Sequence, residues 1–194
     1  MSNIKSFEKY SNEYEEWFEN NRSLYQDEVK SLKKLVGNTQ NGLEIGIGTG
    51  RFALPIGIKI GIEPSAKMKD IAISKGLKVL GGAAENLPFE DNMFDFATMT
   101  NSVCFVDDLL KSFQEAFRVI KQNGFLIIGF IDKDSKLGVE YQEKSKRSKF
   151  YLDAKFYSTD EIITLLKRVG FFGFELEYVE NTRKSFLFLK SFKP

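Results

Sequence analysis

The stretch Gly42-Leu-Glu-Ile-Gly-Ile-Gly-Thr-Gly50 limits this chain more than any other. An apolar run reaches an acid and passes into three glycines, each one residue apart. Without a Cβ, Gly46, Gly48 and Gly50 can turn tightly and let a ligand lie against bare backbone. The turn feeds a segment whose first amides can receive a polar or anionic group. The pattern is G-x-G-x-G with Glu44 two residues ahead, which is not the G-x-G-x-x-G of dinucleotide turns. A second apolar run, Ile58 to Ile62, ends at Glu63, 19 residues after Glu44. A glycine turn followed by an acid closing the next strand is an arrangement that grips a nucleoside by its ribose hydroxyls. A lone strand-end acid is usually just solvated. Its spacing from the glycine turn favours the binding role for Glu63.

After an all-helical start, the periodicity alternates strand and helix. Phe7, Tyr10, Tyr14, Trp17 and Phe18 recur at three- and four-residue spacing, which predicts one face of one helix. A second helix is expected over 21–36, stopping at Gly37-Asn38. Strands are expected over 42–47, 58–63, 77–80, 94–100 and 125–131, the last two dense in apolar residues as doubly covered parallel strands are. Leu109, Leu110, Phe113, Phe117 and Ile120 predict a helix over 108–121. Ser158-Thr-Asp-Glu161 reads as a capping box opening a helix that ends near Gly170. Strands over 173–179 and 185–192 flank the polar turn 180–184 and predict an antiparallel hairpin. Only residues 51–57 separate the glycine turn from the second strand. Pro55 and Gly57 there shorten any helix to a stub.

Composition narrows the function classes. At 194 residues, 42% hydrophobic and 14% aromatic, the chain suits one domain with one sizeable core. It has no histidine and a single cysteine, Cys104, which argues against zinc sites, a disulfide framework and histidine acid–base chemistry. A net charge of +1 gives no bulk attraction for nucleic acid. No run approaches the ~20 apolar residues of a membrane span, and charge begins at Lys5. The expectation is a soluble cytoplasmic protein with neither nucleic acid nor membrane as partner. Its oligomeric state stays open.

Four stretches in order carry a resemblance. They are Glu44-Ile-Gly-Ile-Gly-Thr-Gly50; Ile60-Gly-Ile-Glu-Pro-Ser65; Ala84-Glu-Asn-Leu-Pro-Phe-Glu-Asp-Asn92 with Phe94-Asp-Phe96; and Glu115 to Lys121 followed by Asn123-Gly124 and Phe125 to Gly129. Together with Phe156 to Glu161 and Val169-Gly-Phe171, the chain resembles the class I S-adenosylmethionine-dependent methyltransferases, in particular their small type 11 branch. The resemblance spans roughly residues 40 to 192 and implies an α/β fold. That fold is a Rossmann-like doubly wound, seven-stranded, mostly parallel sheet with a C-terminal antiparallel hairpin. The domain would be 1–194, with 1–37 as a helical cap and 133–157 as a possible lid insertion. It also implies S-adenosyl-L-methionine as cofactor and a small-molecule methyl acceptor as partner. The alternative is a methyltransferase-like module that binds the cofactor, or regulates through it, without turnover.

By the same resemblance, Glu44 attracts the cofactor's ammonium, directly or through water. Gly46, Gly48 and Gly50 form the cradle, Glu63 accepts both ribose hydroxyls, and Pro64 packs on the adenine. The family often has Asp where this chain has Ala83. The Ala84 amide is then the donor to the adenine ring, and Glu85 either accepts the adenine amino group or is a surface acid. Asn101 meets the methionyl group through its backbone. Cys104 or Phe105 stands where many relatives carry histidine, and Cys104 reads better as a small hydrophobe than as a nucleophile. No catalytic residue and no metal ligand is assigned, because in-line transfer from a sulfonium can rest on positioning. Tyr10, Tyr14, Trp17 and Tyr25 either cover the pocket or pack on the core. The segment 133–156, with Lys136, Lys144, Lys146, Arg147 and Lys149, is either a lid or a solvated basic helix.

Overall fold

Strands that are apolar on successive residues have to be covered on both sides, and the central strands are. In the computed structural model, which describes residues 4–194, β1 (Gly42–Ile45) is buried along its whole length. β4 (Phe94–Thr100) is buried at all but Asp95. They form the middle of a seven-stranded sheet of order β3-β2-β1-β4-β5-β7-β6. The other strands are β2 (Ile60–Ile62), β3 (Lys78–Leu80), β5 (Ile120–Ile131), β6 (Phe172–Tyr178) and β7 (Phe186–Phe192). β1 to β5 pair in parallel, and β7 runs antiparallel to both β5 and β6. This is the Rossmann-like doubly wound sheet with a C-terminal hairpin that the sequence predicts. Residues 1–3 of the expected cap lie outside the described residues.

Alternation along the strands divides the core into two layers. Leu126, Ile128 and Leu187 turn to one face, against Phe113 of α5 (Leu109–Val119) and Leu166 of α7 (Thr159–Val169). Ile127, Phe186 and Phe188 turn to the other. There they meet Phe18 of α2 (Ser11–Asn20), Leu32 and Leu35 of α3 (Arg22–Val36) and Ala72 of α4 (Ala66–Ser74). The chain order of the sheet reverses between β1 and β4, so the loops leaving these strands diverge and open a crevice at their carboxyl ends.

Several boundaries differ from the sequence expectation. The single helix expected over the first aromatics is two, α1 (Ile4–Lys9) and α2, broken at Tyr10 with φ −118° and ψ 27°. The break lets α1 lie on the start of α4, where Glu8 accepts from Ser65 Oγ at 2.9 Å and the Lys67 amide at 3.3 Å. β1 stops at Ile45 because Gly46 turns the chain at φ +76°. β5 begins at Ile120, directly after α5, since Ile120 already pairs with Phe94. The register shifts beyond that pair, at Gly124, where a Cβ would stand 2.5 Å from the Asp95 carbonyl. The stub after the glycine turn is one 3-10 turn, Leu54–Ile56. The segment after β5 holds α6 (Lys136–Ser145) and a run of turns.

The capping box is present as read. Ser158 Oγ accepts from the Glu161 amide at 3.2 Å, and Glu161 accepts from the Ser158 amide at 2.8 Å. Losing such a cap costs about 1 kcal/mol. Ser158→Ala is therefore expected to lower unfolding stability by roughly that amount with an unchanged denaturant slope. A urea midpoint equal to that of the parent protein would contradict it.

Candidate active site

A cavity of about 200 Å3 opens at the carboxyl ends of β1, β2, β3 and β4. Its floor is Gly46 and Gly48 after β1, Glu63 and Pro64 after β2, Gly82 to Glu85 after β3, and Thr100 to Ser102 at the end of β4. Of the sequence-predicted residues, the fold thus brings Gly46, Gly48, Glu63, Pro64, Ala84, Glu85 and Asn101 to one cavity. Glu44 and Gly50 are not in its wall. Gly50 serves packing: at φ +81°, a Cβ there would collide with Leu77.

The glycine turn is fixed by backbone. The amides of Gly46 and Ile47 both donate to the Ile62 carbonyl at 2.9 Å, which ties the end of β1 to β2. Gly46 and Gly48 adopt φ of +76° and +56°, a region costly for a side-chain-bearing residue. A Cβ on Gly46 would stand 2.7 Å from that of Ser102. One on Gly48 would project into the cavity, its nearest neighbours being Met68 and the Tyr14 hydroxyl at 3.6 Å. Glu63 sits directly beside this turn. Its Oε2 accepts from the Gly48 amide at 2.9 Å and its Oε1 from the Ser65 amide at 2.8 Å. Burial pushes its carboxyl up to about 7 despite those two amides.

Beneath the floor, Glu44 is 1% exposed, and burial pushes its carboxyl up to about 8. The nearby Thr100 hydroxyl and Ala53 amide only partly offset that push. Neither Glu44 Oε2 nor Thr100 Oγ1 has a hydrogen-bond partner of good geometry. Two unsatisfied buried acceptors under a glycine cradle fit a ligand that brings hydrogen-bond donors, ideally cationic ones.

The far rim is set by the loops after β3 and β4. Ala83 lines the cavity beside Ala84. Glu85 is half-buried, and its Oε1 accepts from the amides of Asp107 and Asp108 at 2.7 and 3.1 Å. It therefore anchors the approach to α5 through one oxygen. Asn101 adopts φ +55°, and its amide donates to the Gly129 carbonyl at 2.9 Å. Ser102 Oγ donates to the Ile45 carbonyl at 3.1 Å. Cys104 faces a small neighbouring cleft, and burial pushes its thiol up to about 12. It holds no thiolate at neutral pH.

The cover comes from two distant segments. Phe7 of α1, Tyr14 and Trp17 of α2, and Tyr141, Phe150 and Tyr151 of the post-β5 insertion all line the cavity. Tyr10 instead packs its edge on Phe150, and Tyr25 packs with Phe18 and Phe52 while donating to the Arg51 carbonyl. The lysines of the insertion do not reach the cavity wall; Lys149 pairs with Glu13 of α2 at 2.6 Å. The sequence reading missed an ion cluster that clamps α2 to the glycine turn. Glu15 accepts from Arg51 Nη2 at 2.9 Å, Lys75 Nζ at 2.7 Å and the Thr49 hydroxyl. Its members are scattered charges with no local pattern, so only the fold reveals it.

Residues 43–128 match a family profile described as a methyltransferase domain. The whole fold superimposes on a Thermotoga maritima structure described as a SAM-dependent methyltransferase, possible histamine N-methyltransferase. The TM-score is 0.92 at 40% identity, covering 98% of this chain and 99% of that one. An uncharacterized protein of Methanocaldococcus jannaschii is 47% identical over 85% of this chain and 80% of its own length. A demethylmenaquinone methyltransferase of Oceanobacillus iheyensis is 28% identical over 57% of this chain, which spans about half (51%) of that protein.

A third buried carboxyl lies outside the cavity wall. Glu28 on α3 is 3% exposed, its Oε2 lacks a partner, and burial, with Asp27 adding to it, pushes its carboxyl up to about 8. A carboxyl raised in the folded state binds its proton there after the unfolded chain has released it. Stability from Glu28, Glu44 and Glu63 therefore falls as pH rises from about 4.5 to about 8. The ligand-free protein is expected to lose stability across that window, and Glu28→Gln to lose it less steeply, by up to about 1.4 kcal/mol per pH unit. Urea midpoints from pH 5 to 8 with parallel slopes for the two proteins would refute this.

Proposed function

The chain belongs to the S-adenosylmethionine-dependent methyltransferases, and we propose that it methylates a small-molecule acceptor held beneath its aromatic cover. Its cofactor is S-adenosylmethionine, which when bound supplies a methyl group on a positively charged sulfur that is its own leaving group. The observation that carries the site reading is the Glu63 carboxylate, pinned by the Gly48 and Ser65 amides against bare glycine backbone. In this reading, Glu63 accepts the ribose hydroxyls with the lone pairs its two amides leave over. Glu44, beneath the floor, attracts the ammonium group directly or through water, with Thr100 beside it, and the nearby positive charge favours the ionised form of Glu44. Pro64 packs on the adenine, the Ala84 amide donates to it, and Asn101 contributes backbone. Gly50 acts only indirectly, by letting the turn pack on Leu77.

No residue at the transfer end is assigned as a proton acceptor. The chain's contribution is to orient two reactants and exclude water, and alignment alone can supply much of the acceleration. A small acceptor is favoured by the cavity's size and by a cover assembled from both the cap (1–37) and the insertion (133–157), which we read as a lid within one domain. The cations that flank it are engaged by carboxylates, as Lys149 is by Glu13 and Lys133 by Glu161, which disfavours nucleic acid. Among the described residues no helix is long and apolar enough to cross a membrane. A cytoplasmic setting fits that composition.

Calorimetry with S-adenosylmethionine and its demethylated product tests the site directly. Glu63→Ala is expected to weaken cofactor binding by about 2–3 kcal/mol, the loss of charge-assisted acceptors for two hydroxyls. Parent-like affinity in a folded Glu63→Ala protein would remove the ribose assignment. Gly48→Ala places its methyl in open cavity, so the protein is expected to fold, with about 1–2 kcal/mol of backbone strain, and to lose cofactor affinity. Undiminished binding by that variant would mean the turn is not the cradle.

A further inference from the structure

The cavity wall carries rings contributed by three separate stretches of chain. Phe7 lies 5.1 Å from Phe105 and 5.4 Å from Phe150, centroid to centroid. Phe105 lies 5.7 Å from Tyr151, which lies 5.1 Å from Tyr141. Tyr14 joins the cluster at 6.2 Å from Phe150 and 6.0 Å from Phe7. All six line the same cavity, next to Asn101 and Ser102 where β4 ends.

The charges in the wall are one-sided. No lysine or arginine is among the described residues that line the cavity, and its only charged side chains are Glu63 and Glu85. An anionic acceptor would be stripped of water with no countercharge to meet it. Proton acceptors are few as well. The chain has no histidine, and Glu63 and Glu85 already receive backbone amides. Tyr14 and Tyr151 are held protonated far above neutral pH by burial. An alcohol, a phenol or an alkylammonium group must shed a proton before it can attack, whereas a neutral ring nitrogen has its lone pair ready without a base. Aromatic side chains remain, meeting one another edge to face or tilted, and their apolar surface suits a flat, uncharged body.

We propose that this box takes a neutral heteroaromatic ring and methylates one of its ring nitrogens, an acceptor of the imidazole or pyridine class. The inference rests on the methyltransferase reading above and adds the acceptor class to it. The ring nitrogen's lone pair forms the new N–C bond while the S–C bond breaks, its electron pair passing to sulfur. In an imidazole, the remaining N–H proton then leaves to water. In a pyridine the positive charge stays on the product. Burial in the box keeps the ring unprotonated and so keeps its lone pair available.

The probes are benzimidazole, benzylamine, benzoate and 4-cresol, titrated calorimetrically into protein loaded with S-adenosylhomocysteine. Benzimidazole is expected to bind at least tenfold more tightly than the other three. Phe150→Ala and Phe105→Ala are each expected to weaken benzimidazole tenfold or more relative to any change in S-adenosylhomocysteine affinity. With S-adenosylmethionine, mass spectrometry is expected to find the N-methylated ring. Its formation should rise with pH through the acceptor's own pKa and then level. Benzoate binding as tightly as benzimidazole, or transfer to benzylamine or 4-cresol in preference to it, overturns the proposal and leaves the methyltransferase reading intact. Failure of the parent protein to bind either form of the cofactor would instead sink the site reading, and this proposal with it.

Discussion

Everything around the cavity depends on one buried carboxylate. Glu63 directly follows β2, and its two oxygens take the amides of Gly48 and Ser65, so it joins the turn after β1 to the start of α4. A carboxylate left unpaired at that depth would be strongly unfavourable, and a glycine turn with unpaired buried amides would be too. Each satisfies the other. The same contact orients the carboxylate before any ligand arrives, so little reorganisation is needed on binding. Ser65 extends the arrangement, capping α4 by accepting from the Met68 amide while donating to Glu8 of α1.

The cap is held in a different way from the sheet. α1 buries none of its residues, and α2 buries only Ser11 and Phe18. Beside the ring contacts of Phe7, Tyr14 and Phe18, their placement draws on polar contacts: Glu8 at the start of α4, and Glu15 with Arg51, Lys75 and Thr49. Burial disfavours the Glu15 charge, but Arg51, Lys75 and Thr49 outweigh it and hold its carboxyl below the usual range. The Glu13–Lys149 pair joins the cap to the insertion, and being exposed it adds little. An element with few buried apolar contacts opens at lower free energy than the core. The cavity therefore sits between the buried sheet edge and a cover held by fewer buried residues.

Chemistry follows from that division. The sheet edge supplies fixed backbone and two buried carboxyl groups, Glu63 in the wall and Glu44 beneath it. The cover supplies rings and no base. A reaction whose leaving group is built into the cofactor suits such a site, because alignment and dryness matter more there than proton transfer.

Much of this was legible from the residues alone. The glycine turn, the strand-end acid, the capping box at Ser158, the hairpin and the alternation of strand and helix are local patterns, governed by φ preferences and by periods of two and 3.6 residues. So the sequence by itself determined the sheet, the floor of the cavity and the family. Other features were decided by tertiary contact. The break at Tyr10 exists because α1 docks on α4, and β5 starts at Ile120 because Phe94 is there to pair with it. Gly50 and Glu44 sit in the motif by sequence, yet one faces Leu77 and the other lies beneath the floor. A strand's pleat and a turn's direction choose which motif residues reach a ligand, and spacing along the chain does not record that choice. The aromatic box is the extreme case. Its six rings come from residues 7 to 151, and only the three-dimensional closure of cap and insertion over β4 gathers them.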